Sequence, residues 1–180
     1  MADNGAVAIE AAHFSRARPG AAAAWRVVPG LGRRSDAVTP LLATAPNLDP
    51  VAAALRQAPR SEYDLRIFTP GAVAITVFCR PTHTIHDGRG LRYASALNDE
   101  KPRIVDLESE EYRKVWAGNI LRPAALGQSA HRVVTPGRPA LKIRMADPGV
   151  VIDKLVLSTR PLPPSFLGPP ETTYPAASSR

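Results

Sequence analysis

The densest group of reactive side chains in the sequence is T-H-T-I-H-D-G at residues 82–88, where His83, His86 and Asp87 fall within five residues. Imidazole and carboxylate groups are ordinary metal ligands, so the cluster could hold an ion. No fourth ligand stands nearby, and a polar hairpin loop accounts for the same letters. The chain runs on as Gly88-Arg89-Gly90-Leu91-Arg92-Tyr93. Glycines let a backbone approach a ligand closely. Arg89 and Arg92 offer planar donor forks that match a carboxylate in bidentate fashion. Tyr93 adds an amphipathic face suited to a sugar ring. The alternative is that both arginines pair with Asp87 or Asp99 and order the loop. Trp25, Tyr93 and Trp116 could together form a sugar-stacking platform, or could equally fill a core or an interface.

Other chemistry is missing. A glycosidase needs two placed carboxylates, and no local spacing singles out a pair. There is no G-x-S-x-G elbow, no Walker loop and no G-x-G-x-x-G, so no residue is assigned a catalytic role. Gly30-Leu31-Gly32 and Gly88-Arg89-Gly90 read as turns. Cys79 is the only cysteine, which rules out an internal disulfide. Its place in an apolar strand pattern suits a small core residue better than a nucleophile.

The composition bounds the rest. A chain of 180 residues, 44% hydrophobic, is one domain with tails or one large sandwich. Its 19 prolines, against a usual share of about 5%, fall between apolar runs and argue against a mainly helical fold. The net charge is +7; Lys101, Lys114, Lys142 and Lys154 are the only lysines among 23 basic residues, leaving 19 arginines. Along the sequence these do not cluster beyond Arg33-Arg34, so no nucleic-acid partner is expected, since that needs a patch rather than a total. No run approaches the roughly 18 apolar residues of a membrane span. The start M-A-D-N-G is acidic with no apolar run behind it, so no export signal is read there.

The elements that must position these residues are short strands. In L-K-I-R-M-A-D-P-G-V-V-I-D-K-L-V-L (141–157), Leu141, Ile143 and Met145 alternate with Lys142 and Arg144, the period of a half-buried strand. Asp147-Pro148-Gly149 is a turn, and 150–157 a second, more apolar strand completing a central hairpin. Ile143, Met145, Val151 and Leu155 are expected in the core. A second hairpin is expected from 63–69 and 73–80 about Pro70-Gly71. Further strands are read at 25–28, 37–44, 91–97, 103–107 and 131–135; 6–14 could be a strand, though its alanines could equally make a helix. Residues 15–24 read as a flexible connection; 51–57 looks locally helical but, between Pro50 and Pro59, is read as a connection. The single helix is placed at 108–120, with Tyr112, Val115, Trp116 and Ile120 near one face. The expected fold is all-β: an antiparallel β-sandwich, jelly-roll-like and galactose-binding-like, with one short helix. The divisions are a polar start at 1–5, the sandwich at 6–158 and a Pro-rich C-terminal tail at 159–180.

Five stretches together resemble the C-terminal domain of glycoside hydrolase family 115: W-R-V-V-P-G-L-G-R-R-S-D-A-V-T-P (25–40), P-R-S-E-Y-D (59–64), H-D-G-R-G-L-R-Y-A (86–94), P-G-R-P-A-L-K-I-R-M-A-D-P-G-V-V-I-D-K-L-V-L (136–157) and P-S-F-L-G-P-P-E (164–171). The resemblance covers about residues 7–171. Those enzymes are xylan α-glucuronidases in which this domain is an all-β sandwich behind a catalytic barrel. Nothing here matches the barrel. The resemblance therefore implies a non-catalytic accessory domain, or a truncated product, inactive alone and partnered by catalytic domains or by a second copy in a homodimer. It also implies an extracellular or periplasmic setting if the parent enzyme is secreted. The alternative is a free-standing carbohydrate-binding module for acidic (glucurono)xylan oligosaccharide. A fainter resemblance is to carbohydrate-binding modules of families 6 and 35, whose first strand and a late Asp can hold a structural calcium. Glu10 and Asp153 fit those places, while Ala12 stands where a second acid would be, which removes one hard ligand. No other cofactor is implied.

Overall fold

Alternating apolar residues and Pro-Gly breaks do produce strands. The computed structural model describes residues 5–48, 52–86, 90–108, 112–163 and 165–173, with the side chains of 52–54 and 112–116 excepted. The described elements run β1 (Ala6–Glu10), β2 (Arg16–Arg18), β3 (Ala24–Val28), β4 (Ala37–Leu41), α1 (Ala52–Gln57), β5 (Arg60–Asp64), β6 (Gly71–Cys79), β7 (Arg92–Leu97) and β8 (Arg103–Asp106). They continue with α2 (Tyr112–Leu121), β9 (Ala125–Val133), β10 (Ala140–Met145) and β11 (Ile152–Ser158). One antiparallel sheet has the order β3-β4-β11-β6-β9, with β1 also on β11; the other has the order β2-β5-β10-β7-β8. The two face each other as a sandwich over a shared core.

Both expected hairpins are corrected. The turn at 147–149 forms, with Gly149 at φ 90°, but it carries the chain from β10 in the second sheet to β11 in the first. The physical reason lies in the two patterns. β10 buries Leu141, Ile143 and Met145 toward the core. In β11 all seven residues are buried, which calls for cover on both faces and a central place in its sheet. Likewise β5 pairs with β2 and β10, whereas β6 pairs with β11 and β9, so 65–70 is a crossing between sheets. Within the connection expected at 15–24, Arg16–Arg18 pairs with β5 as an edge strand. Residues 52–57 form the helix α1, because Pro50 and Pro59 both lie outside it. Leu55 of α1 packs on Ala94 and Ala146, covering part of the second sheet's outer face.

The four residues expected in the core, Ile143, Met145, Val151 and Leu155, are all buried. Each fully buried Leu or Ile contributes about 1.5–3 kcal/mol. The outer face of the first sheet is also covered. Phe78, Val156, Ala6, Ala8 and Ala124 form a second apolar cluster, against which Leu162 packs. Residues 159–163 and 165–173 lack regular structure, as their prolines require, yet they lie across this sheet as a strap. Thr172 donates from N to Ala8 O at 2.9 Å, and its Oγ1 accepts from Ala8 N at 3.0 Å.

Candidate functional site

Two of the three aromatics singled out in the sequence, Trp25 and Tyr93, are buried. Trp25 is 2% exposed within the core, and its Nε1 donates to Pro59 O at 3.0 Å, tying the first sheet to the start of β5. Tyr93 is fully buried, and its Oη meets no partner among the described residues. A ring sealed on both faces has no surface for a sugar. Burial pushes the Tyr93 phenol well above its usual pKa, so it stays neutral. The side chain of Trp116 lies outside the described residues, as do Arg89 and Asp87.

Arg92 is described, and its fork is taken. Nε and Nη2 donate to Asp147 Oδ2 and Oδ1 at 2.6 and 3.0 Å, and its backbone N donates to Oδ2 at 2.9 Å. Asp147, beside it at the end of β10, pairs with it; Asp87 lies outside the described residues. The pair orders the β7 start instead of facing a uronate. His86 donates from Nε2 to Ala45 O at 3.0 Å, and among the described residues no three His, Cys, Asp or Glu side chains converge. Burial raises the Cys79 thiol far above its usual range, so no thiolate forms.

Glu10 and Asp153, the two acids weighed for calcium, are each engaged by a cationic side chain. The Lys154 ammonium, in a residue 1% exposed, sits 3.1 Å from Glu10 Oε1 and donates to Leu167 O and Pro169 O at 3.1 and 3.0 Å. Three donors meet three acceptors. Arg33 donates from Nε to Asp153 Oδ2 at 2.6 Å and from its backbone N to Oδ1 at 3.0 Å. Its guanidinium lies 5.0 Å from the Phe78 ring centre and also donates to Phe166 O. A divalent ion wants roughly six to eight free oxygens; here both carboxylates are neutralised by buried cations that would repel it. The donor set does not fit calcium. It fits a clamp that holds the strap onto the first sheet.

The unexplained chemistry lies on the outer face of the second sheet. Because side chains alternate along a strand, β10 turns Lys142 and Arg144 outward. In register, Lys142 stands between Glu62 of β5 and Ala96 of β7, and Arg144 between Arg60 and Ala94. Glu62 accepts from Arg60 Nε at 2.6 Å and Arg16 Nε at 3.0 Å. Burial alone would raise its pKa, but these bonds outweigh burial and hold the carboxyl below its usual range. Lys142 Nζ donates to the exposed Asp99 at 2.7 Å. Beside these runs a cleft of about 650 Å³, walled by Arg56, Arg60, Lys101, Lys142, Arg144, Asp99 and Glu100. Arg144 is 7% exposed, and its Nε and Nη1 meet no acceptor among the described residues. Burial, and then Arg60, press its pKa below that of a free guanidinium. Sequence reasoning missed this cleft. Its cations come from α1, β5, the turn after β7, and β10, so no run of letters reveals it.

At one rim Glu100 joins a polar network. His131 meets Glu100 through Nδ1, while Nε2 lies 2.9 Å from Ser129 Oγ and 3.2 Å from Ser95 Oγ. Burial holds the imidazole pKa below its usual value despite Glu100. A neutral ring that donates from Nδ1 and accepts at Nε2 satisfies the whole set.

The frame and the cleft can now be set beside known proteins. The sequence model of the glycosyl hydrolase family 115 C-terminal domain matches residues 1–171. The chain belongs to this family.

No curated protein matches this family 115 C-terminal domain in sequence. Among solved structures it is similar to BtGH115A, described as a family GH115 4-O-methyl-α-glucuronidase with specificity for decorated arabinogalactans. The identity is 20% and the TM-score 0.58, over 80% of this chain but only 17% of that one. It is also similar to an exo-β-1,3-galactanase from Phanerochaete chrysosporium, at 11% identity and TM-score 0.52, over 84% of this chain and 29% of that one. A family 35 carbohydrate-binding module from Clostridium thermocellum gives 11% and 0.50, over 84% of this chain and 96% of the module. At such identities the likeness is one of fold, and it supports the antiparallel sandwich. In this family 115 domain the stretches that carry the resemblance hold the frame. Trp25 pins the two sheets, Arg33 and Lys154 hold the strap, and Glu171 accepts from Glu10 N and pairs with His13.

Proposed function

We propose that this chain is a non-catalytic accessory domain of a family 115-like xylan α-glucuronidase, docking on that enzyme's catalytic domains. The observation that carries this reading is an apolar seam where α2 meets the strap. Leu121 is 81% exposed and Phe166 66%. With Gly118, Arg122, Leu126 and Ser165 they wall a cleft of about 640 Å³. Contiguous exposed apolar surface of this kind marks an interaction face. That no local spacing in the sequence singles out a glycosidase carboxylate pair is in keeping with a supporting role.

The test has two parts. The purified chain should release no glucuronic acid from glucuronoxylan above a buffer control, and sustained turnover would overturn the reading. Sedimentation with a family 115 enzyme trimmed of its own C-terminal domain should show a complex that the double variant Leu121→Asp/Phe166→Asp loses. A self-associating chain that ignores the enzyme would instead give the seam to a second copy.

A second reading, a module that binds acidic glucuronoxylan, is favoured by the basic cleft beside β10.

A further inference from the structure

We infer that the cleft on the outer face of the second sheet is a carboxylate-binding subsite for an acidic sugar, with Arg144 as its charged anchor. Arg144 stays ionised at any working pH and cannot discard its charge as a buried lysine can. Withdrawing an ion from water is tolerated when a counter-charge and hydrogen bonds replace the lost hydration. Glu62 and Asp99 lend Arg144 part of that counter-charge, but no described residue gives its Nε or Nη1 an acceptor. Glu62 already accepts from Arg60 and Arg16, and Asp99 from Lys142. Glu100 is engaged by His131 and by Leu97 N, which donates to its Oε1 at 2.6 Å. These three described acids thus bond to other groups, while the Nε and Nη1 of Arg144 lack an acceptor among the described residues.

The surroundings complete an anion site. Arg56 and Lys101, both exposed on the cleft wall, have no ion-pair partner among the described residues. Five cationic side chains face two carboxylates there, Asp99 and Glu100. Such an excess attracts a negative group into the cleft. A planar guanidinium prefers a planar, two-oxygen acceptor, which favours carboxylate over a spherical anion. A volume of about 650 Å³ lies in the range of small-molecule sites. Asp99 and Glu100 on the cleft wall each offer oxygens as acceptors for sugar hydroxyls. The concavity suits a sugar carrying a carboxylate better than a flat macromolecular surface. The choice of a sugar rests on the reading of the chain as a glucuronoxylan-associated domain; the anion site itself does not.

The experiment is calorimetry, with amide NMR shifts, on the full chain at low ionic strength. The probes are glucuronate, xylo-oligosaccharide carrying a glucuronic acid branch, neutral xylo-oligosaccharide, sodium sulfate and a single-stranded oligonucleotide. The acidic oligosaccharide should bind about ten- to hundredfold more tightly than the neutral one, the span of one charge-assisted hydrogen bond. Added salt should weaken it. Arg144→Met should abolish the preference while the melting temperature holds or rises, because an apolar side chain replaces an unpaired buried ion. Lys101→Gln, on the exposed wall, should weaken acidic ligands only severalfold. Equal affinity for acidic and neutral sugars, or an Arg144→Met chain that binds as before, overturns the inference. A loss of fold on Arg144→Met overturns it too, since it makes the arginine a structural group. Sulfate or oligonucleotide binding more tightly than the acidic sugar keeps an anion site and removes the sugar. None of these results bears on the Leu121–Phe166 seam, so failure here is distinguishable from failure of the accessory-domain reading.

Discussion

Replacing Lys154 with methionine should release the strap. The ammonium is buried against Glu10 Oε1 at 3.1 Å and donates to the carbonyls of Leu167 and Pro169 at 3.1 and 3.0 Å. Methionine matches the stem's volume but leaves a nearly buried carboxylate and two carbonyl acceptors without a donor. Removing one partner of a buried ion pair costs about 3–5 kcal/mol. Stranding two carbonyls would add about 1–3 kcal/mol each, but the strap can lift and rehydrate them, so the pair sets the scale. For a domain of this size about 2–4 °C of melting temperature accompanies each kcal/mol. The expected fall in a thermal melt is therefore about 6–20 °C. Chymotrypsin should also cut faster next to Phe166, whose carbonyl is held by Arg33 in the same clamp. A melting temperature within about 2 °C of the parent, with unchanged cleavage, would refute the view that these cations fasten the strap.

Two more expectations concern the interior. A Cβ added at Gly127 would stand 2.3 Å from Tyr93 Oη and 2.9 Å from Val105 Cγ1; Gly127→Ala should cost about 1–3 kcal/mol by overpacking. Tyr93→Phe should recover part of that loss in a denaturant double-mutant cycle, and purely additive variants would disprove the contact. His131, held neutral by burial, has a folded pKa below the ordinary 6.5. Below that value the unfolded chain binds a proton that the native chain refuses, so stability is intact above about 6.5 and declines as pH falls. Urea midpoints at about pH 7.5 and about pH 5.5 should differ less in His131→Gln than in the parent; an identical difference would show that His131 does not titrate on unfolding.

Much of the frame was readable from the letters. Alternation in β10 told which side chains go inward, because a period of two fixes a face. It could not tell which strand lies alongside, since pairing depends on where the rest of the chain can go. That is why Pro70-Gly71 and Pro148-Gly149 looked like hairpin tips and are crossings between sheets. α1 was hidden by its flanking prolines, and β2 by the arginines of an edge that faces solvent. The site was harder still. In L-K-I-R-M, Lys142 and Arg144 read alike as a solvated face. Only the structure shows that Lys142 has Asp99 while the Nε and Nη1 of Arg144 meet no acceptor among the described residues, because Glu62, Arg60 and Asp99 come from other segments. Trp25, Arg92 and Tyr93 carried the right residue types for sugar binding, but their neighbours in space bury them or engage their donors.

The order of strands in the first sheet bears on how the chain emerges during synthesis. β11 is made after the other described strands of this domain, yet it lies between β6 on one edge and both β1 and β4 on the other. β1, the earliest described strand of the domain, has its ladder partner in β11. While the ribosome is still translating, β1 and the β3–β4 ribbon have nothing to close on. Their edges stay open until residue 158 has cleared the exit tunnel, the condition in which nascent chains most need a chaperone. A pause in translation before residue 152 should leave the first sheet without its central strand.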